Sequence, residues 1–460
     1  LIIAFCLLAL LLAALVGITQ YAAPLALALT GASLLCGTVY LVRQSAGKRL
    51  GTTKTLCVLF FWFAVIHIVF GYTLADLTTE HTSIRSNPET LYATAMLINC
   101  VGLFAGAVGY AWKLNYSASS TIRGVPLAID MDLAERLFRI ILLIASGLMF
   151  FVYWRLGAAE YLSEPAKWPV MRYITSDILS GSAREEWLVN RAMDLLTVSL
   201  PFVLFGAGKH PRMLRILPAV IGCIALLLPL RRANLLAVAL AVLILVGIER
   251  GNLFQLTRKV LVCVAIVYIV SQCIFLIGII AMDVSPKQVV MISSTALPEV
   301  RDLAWTLSLL HGESLNGTTF EQALIPLPSI ASDWSSRHSL RAISTKLIGL
   351  DETSETGGLR LTIMGEGFIN FGYPGVIVVG LLWGLAVGWC ELVIQATGKN
   401  KPGFMNYGAA LCFVWICFLV YLAGTQAAAS IKVGAMVVLA VAWASRERSV
   451  GAQLRALLST

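Results

Sequence analysis

Runs of about 20 apolar residues recur from one end of this chain to the other, long enough as helices to cross a hydrocarbon core of about 30 Å, except that 214–230 and 233–248 are short for spans and could lower the count by two. They fall near 1–19, 22–42, 55–75, 91–112, 137–157, 192–208, 214–230, 233–248, 260–282, 373–396, 407–424 and 431–445. Backbone groups in lipid must be satisfied within the segment itself, and continuous apolar runs do that as helices rather than as alternating strands. The expected fold is therefore all-α and polytopic, with about twelve transmembrane helices. Composition matters at one point: only 13% of residues are charged, against about 25% in soluble domains.

The runs divide the chain into N-terminal transmembrane helices over 1–282, a large polar segment with short helices over 283–362, and three more transmembrane helices with a tail over 363–460. Because the sequence opens on Leu1, a few residues are expected to precede it. Leu1 to Thr19 is read as a span, since no small-residue cleavage site follows it. All ten cysteines lie in apolar runs, with neither a disulfide framework nor metal-ligand spacing, so they read as small buried hydrophobes. No metal or cofactor is expected. A net charge of +9 would suggest nucleic acid in a soluble protein. Here cytoplasmic loops and anionic membrane lipids account for it, and no nucleic-acid partner is expected.

Short loops set the orientation. Arg43, Lys48, Arg49 and Lys54, then Lys113, Arg123, Arg136 and Arg139, then Lys209, Arg212 and Arg215 fall on one side, with Arg250, Arg258, Lys259, Lys399 and Lys401 after them. That side is cytoplasmic by the positive-inside rule. The segment 283–362 then lies on the outer face, as does 158–191 with Arg172. Arg231 and Arg232 sit in a very short outer turn, against the usual charge bias. Two readings stay open: guanidiniums that snorkel to headgroups, or an anion site gripping phosphate oxygens.

A polar segment as long as 283–362 is too long for a bare connector. Val300, Leu303, Leu307 and Leu310 repeat at helical spacing. Arg301 and Asp302 lie near the start of that helix, either as exposed charges of little energetic value or as part of a site. At the end of the segment, Glu366 and Asn370 are four apart and share one helical face, with Arg360 one to two turns upstream. Gly365 and Gly367 flank the glutamate at a helix cost of about 1 kcal/mol each, which points to close approach of another backbone or a ligand. Gly372-Tyr373-Pro374-Gly375 breaks the chain before the next span, and Gly380, Gly384 and Gly388 form a small-residue stripe for helix contact. The plain alternative for the stretch is a re-entrant or interfacial helix packed under a loop.

The stretch Gly365-Glu366-Gly367-Phe368-Ile369-Asn370-Phe371-Gly372, followed by Gly375 and a glycine-spaced apolar helix, resembles the GE-aromatic-x-NFG signature of O-antigen and oligosaccharide repeat-unit polymerases (Wzy-type). Arg231-Arg232 opening an apolar helix, and Arg301-Asp302 followed by Leu324-Ile325-Pro326-Leu327-Pro328, are similar to the same family. Two departures are Gly367 between glutamate and aromatic, and Leu327 where the family often has a basic residue. The resemblance implies an all-helical, GT-C-like membrane glycosyltransferase in the bacterial inner membrane, metal-independent and inverting. It would join undecaprenyl-diphosphate-linked oligosaccharide repeat units into O-antigen or related lipopolysaccharide at the periplasmic face. It also implies membrane lipids, a flippase and a chain-length regulator protein as partners.

Such chemistry needs cations on the departing diphosphate and a carboxylate to deprotonate the acceptor hydroxyl. Glu366, Arg231, Arg232 and Arg301 are the expected catalytic residues, and Asn370, Arg360, Arg172 and Asp302 the substrate-binding ones. Glu366 is expected at the outer membrane boundary, held ionised by arginines. The competing reading makes it an ion-pair partner of Arg360 or Arg301. An O-antigen ligase shares the chemistry with another acceptor. A lipid-linked oligosaccharide flippase is the rival from a different class, although the two halves of the chain show no similarity. Asp130-Met131-Asp132 matches a metal-holding D-x-D, but Asp130 ahead of Leu133-Ala134-Glu135 reads better as a helix cap. Asn316-Gly317-Thr318 matches a glycosylation sequon that short sequences meet by chance. His67 reads as a buried helix residue.

Overall fold

The computed structural model describes residues 23–52, 55–75, 87–116, 129–155, 183–205, 213–229, 232–249, 299–324, 343, 361–397 and 404–458. All elements among them are helical. In chain order they are α1 (Ala23–Leu50), α2 (Leu56–Ala75), α3 (Pro88–Tyr116), α4 (Met131–Arg155), α5 (Ala183–Phe205), α6 (Met213–Leu227), α7 (Arg232–Glu249), α8 (Glu299–Leu310), α9 (Thr318–Leu324), α10 (Ile363–Thr397), α11 (Phe404–Phe413), a π-helical segment (Val414–Leu419), α12 (Val420–Ala423), a 3₁₀ turn (Gly424–Ala427) and α13 (Ala428–Leu458). Five stretches are long and apolar enough to cross a membrane: Pro24–Leu50, Pro88–Tyr116, Met131–Arg155, Trp187–Leu204 and Ile363–Gln395. The expected spans 1–19 and 260–282 lie outside the described residues. Large apolar side chains such as Leu25, Leu29, Ile140, Ile144, Phe151 and Leu382 stand exposed, as they must if lipid is the solvent.

Two compact units divide the chain. The first takes residues 1–119, 285–392 and 416–428; the second takes 120–284, 393–415 and 429–460.

In the first unit α3 is the central helix, with α1, α2 and α8 packed against it. Its Gly102, Gly106 and Gly109 face the stripe foreseen on α10. A Cβ at Gly380 would strike the Gly102 carbonyl, one at Gly384 the Gly106 carbonyl, and one at Gly109 the Leu381 carbonyl. The two backbones therefore meet with no side chain between them, which is how small residues bring membrane helices together. Trp383 lies beside Gly106, its ring near Phe60, Phe61 and Tyr421 at 5.4–5.8 Å between centroids. Its indole N–H donates to the Ile416 carbonyl at 2.9 Å. Ile416 lies in the π-helical segment, where a wider turn disturbs the ordinary helical ladder. His67 is buried as expected, stacked on Phe63 at 5.7 Å.

In the second unit α4 packs on α5 and α6, and α7 on α5 and α11. Asp130 caps α4: its Oδ1 accepts the backbone N–H groups of Asp132 and Leu133, both at 3.1 Å. Half of the D-x-D match is thus a helix cap. Glu135 is fully buried, and its Oε1 accepts from Arg139 and Arg215, each at 2.9 Å, tying α4 to α6. The rings of Phe138, Phe202 and Tyr407 pack at 4.5–5.5 Å, and the Tyr407 hydroxyl donates to the Val198 carbonyl.

Candidate functional site

The segment around Glu366 folds as two arms rather than one helix. Gly372 has φ 64° and ψ −155°, outside helical space, in a region open in practice to glycine alone. Residues eight apart in a straight helix are separated by about 12 Å. Here a Cβ at Gly375 would collide with the Gly367 carbonyl, and one at Gly367 would lie 3.1 Å from the Gly375 carbonyl. The chain therefore folds sharply back at Gly372. The foreseen break is real: Gly375 has no room for a side chain against the Gly367 carbonyl, and a Cβ at Gly367 would be tight against the Gly375 backbone. Pro374 then sits near the start of the long arm, where its missing N–H leaves no donor unpaired.

The short arm is anchored at both ends. At its start the Thr362 hydroxyl accepts the Gly365 N–H at 3.1 Å and donates to Asn99 Oδ1 of α3 at 2.5 Å. At its end the last carbonyls of a helix lack intrahelical donors. The Leu315 N–H supplies one to the Ile369 carbonyl at 2.9 Å, and the Ser314 hydroxyl one to the Asn370 carbonyl at 2.5 Å. The Asn316-Gly317 turn, with φ values of 49° and 87°, lies against the Phe371 ring. The sequon match is thus a tight turn that packs on the reversal.

Glu366 and Asn370 share the buried face of the short arm, at 0% and 1% exposure. The Glu366 carboxylate is held by one residue at both oxygens: the Thr425 N–H donates to Oε2 at 2.8 Å, and the Thr425 hydroxyl donates to Oε1. The Thr319 hydroxyl of α9 lies beside the same carboxylate. Asn370 does not reach it directly. Its Nδ2 donates to Thr319 Oγ1 and to the Glu366 carbonyl, both at 2.8 Å, so it bears on the carboxylate through Thr319. Asn370 Oδ1 is buried with no hydrogen-bond partner among the described residues.

Among the described residues no arginine bonds this carboxylate. Arg301 donates through Nε (2.8 Å) and Nη2 (2.6 Å) to Asp302 Oδ1, not to Glu366 as the competing ion-pair reading would have it. The reason is proximity: Asp302 is adjacent on the same helix and only 2% exposed, so the nearest guanidinium goes to it. The pair is not the exposed, weak one either. Leu303, next along α8, would lie 3.3 Å from a Cβ at Gly365, so α8 crosses the short arm beside the glutamate.

Arg232 opens α7. Arg172, Arg231 and Arg360, and the side chain of Arg232, lie outside the described residues. Thr319, Thr425, Thr362 and Asn99 escape the sequence reading. The only signal for Thr425 is Gly424 before it, in a run otherwise read as a turn. Another buried carboxylate, Glu391 near the end of α10, accepts the Cys57 N–H at 3.1 Å and so caps the start of α2. Among the described residues no cluster of three or more His, Cys, Asp or Glu could hold a metal ion.

No family model, curated protein or solved structure matches this chain.

Proposed function

We propose that the chain is a membrane glycosyltransferase that polymerises undecaprenyl-diphosphate-linked oligosaccharide repeat units into O-antigen or a related surface polysaccharide. In this reading it crosses the bacterial inner membrane with about twelve GT-C-like helices and works at the periplasmic face. One observation carries the proposal. Glu366 is a buried carboxylate at a helix reversal, its two oxygens bonded by the N–H and hydroxyl of Thr425, with the Thr319 hydroxyl beside them. A carboxylate has about four acceptor sites, so these donors leave one for an incoming proton, and among the described residues no cation bonds it.

Glu366 removes the proton of an acceptor sugar hydroxyl. The oxygen attacks the anomeric carbon of the lipid-linked chain, and the carbon–oxygen bond to the diphosphate breaks. The lipid diphosphate leaves with its charge stabilised by arginine, for which Arg231, Arg232 and Arg301 are the candidates and Arg172 and Arg360 the reserves. Asn370 Oδ1, buried and unpartnered among the described residues, is the group that would accept a hydroxyl proton from the sugar once the site opens.

One structural feature favours a second reading, a lipid-linked oligosaccharide flippase. The reversal at Gly372 and the break at Gly424 are interruptions of apolar helices, a habit of transporters. Deletion of the gene and electrophoresis of surface polysaccharide separates the two. Loss of the long-chain ladder with one repeat unit retained supports the polymerase. Loss of all capped lipid means flippase or ligase, and a ligase is then recognised by an acceptor assay. In the complemented strain Glu366→Gln, inserted at normal levels, is expected to give no ladder; a normal ladder would remove Glu366 as the base.

A further inference from the structure

We infer that Gly424 and Thr425 are a positioning element for the Glu366 carboxylate, completed by Thr319. The inference rests on the reading of Glu366 as the base of the transfer reaction. A glutamate side chain has several rotatable bonds, and a base must present one lone pair in one direction. Thr425 meets that need alone, because its N–H and its hydroxyl take the two different oxygens of the carboxylate and so fix the plane of the group.

The helix break is what makes this possible. In an unbroken helix the Thr425 N–H would be committed to the carbonyl four residues back. Gly424 instead adopts φ 52° and ψ −137° as α12 ends, and its own N–H goes to the Val420 carbonyl. The Thr425 N–H is thereby freed for Glu366. A Cβ at Gly424 would fall on Glu366 Oε2, so glycine is required there by space as well as by conformation. Thr319 adds a donor by a related route. The amide of Asn370 donates into the Thr319 oxygen, so the Thr319 proton is free to turn toward the carboxylate beside it. Both threonines are β-branched and stiff at the first side-chain torsion, so they hold their hydroxyls in place at little entropic cost.

The test uses the full chain in proteoliposomes, with undecaprenyl-diphosphate-linked repeat units extracted from the deletion strain. Thr425→Val keeps the shape and the N–H but removes the hydroxyl, and Gly424→Ala pushes the carboxylate away. Each is expected to lower kcat per folded molecule by roughly tenfold to a hundredfold while leaving KM in place. Thr425→Ser, which keeps both donors, recovers most of the rate. A second readout needs no substrate: the infrared difference spectrum of wild type against Glu366→Gln isolates the carboxylate stretch. That band should move in Thr425→Val and Gly424→Ala and return in Thr425→Ser. A band that stays put in Thr425→Val, or a wild-type kcat there beside an inactive Glu366→Gln, overturns the positioning role and leaves the base reading standing. Wild-type turnover in Glu366→Gln overturns both.

Discussion

Gly384 lies against the carbonyl oxygen of Gly106, so α10 and α3 touch backbone to backbone in the middle of the first unit. A methyl group has no room there, and the atoms it would meet are main chain, which cannot swing aside. Gly384→Ala is expected to destabilise the protein by about 1–3 kcal/mol, as overpacking does. Thermal unfolding in detergent measures it. Gly147→Ala on α4 is the control, because a Cβ there meets nothing within 4 Å. That change should instead stabilise slightly through helix propensity, and equal losses in both variants would mean that the close contact is not what Gly384 provides.

The reversal at Gly372 gives a second prediction. Its φ of 64° and ψ of −155° suit glycine, and a Cβ there would meet only Pro374, at 3.9 Å. Gly372→Ala therefore probes backbone strain without a clash, with an expected loss of about 1–3 kcal/mol. Because Asn370 and Glu366 sit within two turns of the reversal, polysaccharide output should fall as well. Unchanged unfolding temperature and unchanged ladders would mean that the two arms can part at no cost.

What the sequence reveals about this site depends on how local each relationship is. Glu366 and Asn370 are legible as a pair because helical spacing alone puts them on one face. Gly380, Gly384 and Gly388 are legible as a contact stripe for the same reason. Their partners Gly102, Gly106 and Gly109 lie far away in the chain, and a small-residue stripe does not say which other stripe it meets. Thr425 stands 59 residues beyond Glu366, and a threonine in a short turn between two apolar runs carries no mark of having a carboxylate as its partner. Arg301 misleads in the opposite way: a charge near a candidate glutamate suggests a pair, but Asp302 lies beside it and takes it. Of the expected spans, those near 91–112 and 137–157 lie within helices Pro88–Tyr116 and within two residues of Met131–Arg155, because long apolar runs need no distant partner to become helices.

Asp130 supplies a third prediction, since its two readings differ in what they require. A cap needs an oxygen that accepts N–H groups, which asparagine also has; a metal-holding D-x-D needs the charge. Asp130→Asn is expected to keep both stability and polysaccharide output, whereas Asp130→Ala should cost about 1 kcal/mol of stability. Chemical or thermal unfolding reports the second, and gel ladders report the first. Loss of the ladder in a stable Asp130→Asn protein would bring the metal reading back.

The last prediction separates the two roles open to Arg301. Its Nε and Nη2 are engaged by Asp302, while Nη1 keeps protons that a phosphate oxygen could take. Removing the arginine alone confounds these roles, because it takes two hydrogen bonds from the Asp302 carboxylate, which is only 2% exposed. Breaking a buried pair from one side costs about 3–5 kcal/mol, so Arg301→Ala should be strongly destabilised whatever its role. Adding Asp302→Asn removes the buried charge, and the double variant is expected to regain much of the lost stability. Polymer formation is then the discriminating measurement. If Arg301 stabilises the leaving diphosphate, the double variant is folded but forms no long-chain polysaccharide, while Asp302→Asn alone, with the guanidinium freed, keeps its ladder. A double variant that is both stable and fully active would show that Arg301 only neutralises Asp302, and the leaving-group role would pass to Arg231, Arg232 or Arg360.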